Sequence, residues 1–195
     1  MRATGELRER RGWIPVLAAI LVLAAGSAAA QPGPEVTNRP DCGFNQDPAP
    51  DFALEDMNPT SPTYGQTVHL SDYDDKVVFI EFMRSSCGHC QGTTIQLQAM
   101  LDAHAGDWGD DVVFLIINMP GWEADLPTFT ALSDLPVLQD TTAEYFGDRI
   151  GASLYSNYVL TPGRDLHATH YNLSLPTNEA RLVGEIEAAL GSRKR

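Results

Sequence analysis

Two stretches of nearly unbroken apolar residues organise the chain, Val77-Val78-Phe79-Ile80-Glu81-Phe82-Met83 and Val112-Val113-Phe114-Leu115-Ile116-Ile117. Runs of β-branched and aromatic residues without polar alternation predict strands covered on both faces of a sheet. Between them, residues 88–104 carry Ile95, Leu97, Met100, Leu101 and His104 at roughly helical spacing. Strand, helix and strand in succession predict a βαβ unit with a right-handed crossover. Downstream, Phe129–Leu132 predicts a short helix, Val137–Gln139 a strand and Thr142–Ile150 a second helix. Tyr158–Leu160 and Leu166–His170 flank Thr161-Pro162-Gly163-Arg164, the pattern of a β-hairpin. Asn178–Leu190 predicts an amphipathic helix with Leu182, Ile186 and Leu190 on one face and Gly191 as its stop. The expected fold class is α/β: a central mixed sheet with helices on both faces, in one domain without internal repeats.

The N-terminal hydrophobic run has a different meaning. Arg8, Arg10 and Arg11 precede the apolar residues Val16 to Ala25, and Ala28-Ala29-Ala30 follows. A charged start, a short apolar run and a small-residue exit are the pattern of a secretory signal peptide, expected over residues 1–30. The run is too short for a spanning helix, which needs about 20 apolar residues, so no stable membrane insertion is expected after cleavage. A periplasmic or secreted location follows, where disulfide chemistry is permitted. Pro32, Pro34, Pro40 and Pro48 mark residues 31–48 as an extended tether. The folded domain is expected over residues 49–191, with a short basic tail over 192–195.

Composition narrows the function. Of 195 residues, 13 are Lys or Arg and 26 are Asp or Glu, for a net charge of −13. Four of the basic residues (Arg2, Arg8, Arg10 and Arg11) lie in the expected signal, so the remainder is more acidic still. Such a body repels phosphate backbones, which excludes nucleic acid as a partner. Three cysteines are too few for a disulfide scaffold.

Two of them form Cys87-Gly88-His89-Cys90, directly after an apolar strand and at the head of the predicted helix. Thiols three residues apart on a first helical turn are close enough to close a small disulfide ring. The leading sulfur faces the unsatisfied N–H groups and positive end of the helix, which favours thiolate. Cys87 is therefore the expected attacking sulfur. His89, when protonated, adds positive charge beside it. Stabilising the reduced form makes the disulfide more oxidising. A zinc site normally needs four ligands, and no second such pair exists here, so no metal and no cofactor is expected. A structural disulfide closing so short a loop would add little stability.

Glu81 interrupts an apolar strand six positions before Cys87, where a charge is costly. Buried there, a carboxyl would have a raised pKa and could exchange protons with a buried thiol, accepting that of Cys90. The alternative is an edge-of-sheet carboxylate facing water.

These residues resemble the thioredoxin-like superfamily from about Ala49 to Leu190. Ala49-Pro50-Asp51-Phe52-Ala53-Leu54 and Val68-His69-Leu70-Ser71-Asp72-Tyr73 resemble the opening of its redoxin, or TlpA/ResA-type, branch. Lys76 to Phe82 resembles the strand before the active site, and Leu135-Pro136-Val137-Leu138-Gln139-Asp140 a later strand. Cys87-Gly88-His89-Cys90 is similar to the tetrapeptide of protein disulfide isomerases. The resemblance implies a three-layer thioredoxin-like fold and an extracytoplasmic thiol–disulfide oxidoreductase. It also implies Cys87 as nucleophile, Cys90 as resolving thiol and Glu81 as proton relay, with cysteine-containing proteins as substrates and a separate redox partner. Gly88 and Tyr155 are expected beside the substrate. Tyr155 falls where the family's cis-proline is usual, and Ser86 stands where an aromatic is usual.

Two other readings share these residues. A peroxiredoxin-like antioxidant would use Cys87 alone, although Arg84 stands where that family has a threonine. A thioredoxin-like copper chaperone would combine Cys87 and Cys90 with a distal histidine, His167 or His170. Cys42 has no assigned role. The direction of electron flow is open.

Overall fold

The computed structural model describes residues 48–192. The expected signal peptide, Cys42 and most of the tether and tail lie outside the described residues. Strands and helices follow in the order β1 (Ala53–Asp56), β2 (Thr67–His69), β3 (Val77–Met83), α1 (Gly88–Trp108), β4 (Val112–Asn118), α2 (Leu126–Thr130), β5 (Val137–Gln139), α3 (Phe146–Arg149), β6 (Ser156–Leu160), β7 (Leu166–Tyr171) and α4 (Glu179–Ser192). The seven strands form one sheet in the order β2-β1-β5-β4-β3-β6-β7. β3 runs parallel to β4 and β4 parallel to β5, whereas β6, β7, β1 and β2 join antiparallel, so the sheet is mixed.

The period-2 alternation of β3 divides two cores. Val77, Phe79 and Met83 face one side with Cys90, Leu97 and Met100 of α1 and Leu182 and Ile186 of α4. Val78, Ile80 and Phe82 face the other, with Phe146 of α3, Leu70, and Phe52 from the segment before β1. Every residue of β3 is buried, Glu81 included, as its nearly unbroken apolar run predicts. Each large side chain so covered contributes about 1.5–3 kcal/mol by removal from water. The expected layering with helices on both faces is present, but unequally. α1, α2 and α4 cover one face, while α3 and a 3-10 turn over Leu70–Tyr73 help cover the other.

Several bounds differ from the expectation for local reasons. The first helix continues one turn past His104, because Trp108 returns to the core and the His104 ring stacks on it at 4.3 Å. Gly109, at φ 51°, ends it with its N–H on the Ala105 carbonyl. Ile95 is 48% exposed; two residues from Leu97, it lies on the opposite side of the helix. The helix expected over Thr142–Ile150 shrinks to four residues, since Tyr145 takes a left-handed conformation with φ 48°. The helix expected over Phe129–Leu132 begins earlier, at Leu126, with Pro127 in its first turn. Gly191 does not stop α4, which runs to Ser192.

Candidate active site

The site grows from the C-terminal end of β3, where the chain leaves the sheet over Arg84-Ser85-Ser86 and turns into α1. That short connection is held from several sides. The Ser85 N–H donates to Asn118 Oδ1 at 2.9 Å, its hydroxyl donates to the Trp122 carbonyl, and its own carbonyl accepts from Gln91 Nε2 at 3.0 Å. The Cys87 N–H donates to the Arg84 carbonyl at 2.9 Å. Cys87 is the N-cap of α1, and its Sγ accepts the Cys90 N–H at 3.2 Å. A capping position normally taken by Ser, Thr, Asp or Asn is thus filled by sulfur, and an orphan donor of the helix end points at the reactive atom.

The two thiols have opposite environments. Cys87 is partly exposed, whereas Cys90 is fully buried. Burial works against ionisation of Cys87, but it is outweighed by hydrogen bonds from the Cys90 and Tyr155 side chains and from the backbone N–H groups of Cys90 and His89. The Cys87 pKa therefore lies below that of an ordinary thiol. Burial first, then the bond to Cys87, pushes the Cys90 thiol well above its usual range. Cys87 is the sulfur that ionises more readily and can be reached; Cys90 holds its proton more tightly.

Glu81 is 2% exposed in the middle of β3, between β4 and β6, so the edge-of-sheet alternative does not hold. Alternation puts it on the side of Phe79 and Met83, the side on which Cys90 is buried. Burial, and then the charge of Cys87, raise its pKa to about 8. Its register partner on β6 is Asn157, also buried. Glu81 Oε2 and Asn157 Oδ1 are both without a hydrogen-bond partner, a costly condition for buried oxygens that a proton on the carboxyl would relieve.

Tyr155 sits immediately before β6 at φ 72°. Its N–H donates to the Phe82 carbonyl at 3.0 Å, and its carbonyl accepts from Asn157 Nδ2 at 2.8 Å and from the Asn172 N–H at 2.9 Å. The hydroxyl lies 3.5 Å from Cys87 Sγ. The exposed His89 packs edge-on against the Tyr155 ring at 5.3 Å, and Tyr171, 70% exposed, packs at 6.4 Å. The cis peptide bond among the described residues is Leu175–Pro176, away from this position in sequence. Gly88 is exposed, and a Cβ added to it would meet nothing within 4 Å.

The structure therefore brings Cys87, Gly88, His89 and Tyr155 together at the surface, with Cys90 buried directly beneath and Glu81 acting on the thiols from within the sheet. Of the histidines considered for copper, His167 is exposed and His170 is engaged by Glu185 of α4. Among the described residues no group of three or more His, Cys, Asp or Glu side chains is placed to hold a metal ion. Arg84 lays its guanidinium over the Trp122 ring at 4.8 Å. The residue missed from sequence is Asn118, fully buried, which holds Ser85 and also donates to Gln139 Oε1 at 2.7 Å. Its signal was a polar residue closing an otherwise apolar strand.

The redoxin family matches residues 44–159. A putative thiol:disulfide interchange protein, DsbE, of Chlorobium tepidum superposes with a TM-score of 0.60 at 22% identity, over 75% of this chain and 97% of its own. The exposed lipoprotein thioredoxin Etrx1 of Streptococcus pneumoniae gives 0.51 at 25% identity, over 70% and 99%. ScoI of Arabidopsis thaliana, solved with copper bound, gives 0.56 at 18% identity, over 71% and 98%. No curated protein sequence matches the chain. None of the helices among the described residues is long and apolar enough to cross a membrane. By the span matched, its thioredoxin-like fold and its Cys87–Cys90 pair, the chain belongs to the redoxin family, as a thiol–disulfide oxidoreductase.

Proposed function

We propose that the protein exchanges disulfides with cysteine-containing proteins outside the cytoplasm, through Cys87 and Cys90, and is returned to its starting state by a separate redox partner. The observation that carries this reading is the asymmetry of the pair: one reachable sulfur with a lowered pKa, one buried sulfur with a raised pKa, at the same helix N-terminus. The expected signal peptide supports the location.

In the direction that reduces a substrate, the Cys87 thiolate attacks one sulfur of the substrate disulfide. The substrate's S–S bond breaks, its other sulfur leaves as thiolate with the electron pair, and a mixed disulfide forms at Cys87. The Glu81 carboxylate takes the proton of Cys90. The Cys90 thiolate then attacks Cys87 Sγ, closing the Cys87–Cys90 bond and expelling the second substrate sulfur as thiolate. The substrate gains two electrons and the pair loses two. Run backwards, the same steps oxidise a substrate dithiol, and Glu81 returns the proton to departing Cys90. The open space before Gly88 and the ring of Tyr155 provide the ledge for the visiting chain.

Trapping tests this. Cys90→Ser should accumulate mixed disulfides with other proteins that a reductant releases, and Cys87→Ser should accumulate none. Absence of trapped partners with Cys90→Ser in an oxidising compartment would remove the reading.

A further inference from the structure

Cys87 Sγ has a polar neighbour that does not come from its own helix. The Tyr155 hydroxyl approaches from the start of β6, across 68 positions of sequence, to 3.5 Å, within hydrogen-bonding reach for sulfur. Its position is built by the backbone. Residue 155 stands in the left-handed region at φ 72°, strained for a tyrosine, and the conformation is pinned by the Phe82 carbonyl, the Asn157 amide and the Asn172 N–H. His89 and Tyr171 pack edge-on against the ring.

We propose that Tyr155 is a catalytic residue whose hydroxyl donates a hydrogen bond to the Cys87 thiolate, adding a donor from the start of β6 to those that the end of α1 already points at the negative sulfur. This rests on the disulfide-exchange reading above and assigns Tyr155 a chemical role within it. At a thiolate the direction of the bond is fixed, since only the phenol retains a proton to donate. The bond to Cys87 and then the thiolate's charge push the Tyr155 pKa up to about 12, so the phenol stays a donor throughout the neutral range. A hydrogen bond to an ion is stronger than one to a neutral atom, and sulfur within a disulfide is neutral and a weak acceptor. The contact therefore favours the reduced, ionised form of the pair and makes its disulfide more oxidising. It also makes Cys87 a better leaving group when a second substrate thiolate attacks a mixed disulfide at the substrate's sulfur. That attack forms the substrate disulfide, breaks its bond to Cys87, and leaves the electron pair on Cys87 Sγ. The other titratable groups around this sulfur are Cys90 and His89 of α1 and Glu81 of β3, with Tyr171 of β7 against the far side of the Tyr155 ring.

The test is Tyr155→Phe, which keeps the ring, its packing and the backbone requirement while deleting one oxygen. Alkylation of Cys87 by iodoacetamide is followed against pH in the purified reduced protein, and the Cys87–Cys90 pair is equilibrated separately with glutathione. Below the thiol's midpoint, the variant should be alkylated about three- to tenfold more slowly than the wild type. Its pH profile should move to higher pH, and the variant should be the more oxidised at a given glutathione ratio. An unchanged profile, or a loss of exchange rate with the profile unmoved, would overturn the assignment of Tyr155 and leave disulfide exchange standing. If the profile moves but neither protein forms the disulfide with oxidised glutathione, the donor role holds and the exchange function falls.

Discussion

The carboxyl of Glu81 and the sulfur of Cys87 oppose each other's ionisation: the thiolate adds to burial in raising the Glu81 pKa to about 8. Between its ordinary value near 4.5 and that value, the folded protein holds a proton that the unfolded chain has released. Stability must then fall as pH rises through this window and level off above it. Glu81→Gln removes the dependence. Urea unfolding of the reduced proteins at pH 5, 7 and 9 should show the variant gaining on the wild type by roughly 3–5 kcal/mol across the series. A pH-independent difference would place Glu81 in contact with compensating charge.

Proton traffic through the same carboxyl predicts a kinetic signature. If the Glu81 carboxylate takes the Cys90 proton, resolution of the mixed disulfide in the wild type should speed up with pH and flatten below about 8, because Cys87 carries no charge in that intermediate and burial alone then raises the Glu81 pKa. In Glu81→Gln the step should be slower by on the order of 10²-fold near pH 7 and lack that inflection. Rapid-quench measurement with a single-disulfide protein substrate separates this from the first attack. Equal rates in the two proteins would remove Glu81 from the reaction.

Asn118 holds the connection to the reactive sulfur without touching it. In Asn118→Ala the Ser85 N–H loses its acceptor, and the Gln139 carboxamide loses a donor. The expected cost is about 1–3 kcal/mol in urea unfolding. Cys87 alkylation should also lose part of its low-pH reactivity, because the helix end and its sulfur are no longer fixed together. Stability lost with an unaltered alkylation profile would make Asn118 structural only.

The legible parts of the fold are those where pattern and burial coincide. β3 and β5 match the expected bounds, because a strand buried on both faces is apolar at nearly every position, Glu81 and Gln139 being the exceptions. β1 and β2 show in the sequence only as an opening segment that resembles the redoxin branch. Ala53–Asp56 alternates weakly, and its identity as a strand comes from pairing with β2 on one side and with β5, more than eighty residues away, on the other. The failure of the 142–150 helix turns on one backbone angle at Tyr145, which periodicity does not record. In the site, the Cys87–Cys90 spacing and the misplaced charge of Glu81 were both visible as local anomalies. The hydroxyl of Tyr155 was not, since its approach to Cys87 depends on a positive φ and on backbone hydrogen bonds to Phe82 and from Asn157 and Asn172.

Sealing a carboxyl beneath a reactive thiolate ties electrons to acidity. When Cys87 closes onto Cys90, the negative sulfur vanishes and one of the two causes that held the Glu81 proton vanishes with it. Oxidation near neutral pH therefore sheds a fraction of a hydrogen ion from inside the sheet, beyond those leaving the thiols. A compartment that turns acidic would tip the couple toward its dithiol form more steeply than sulfur chemistry alone dictates.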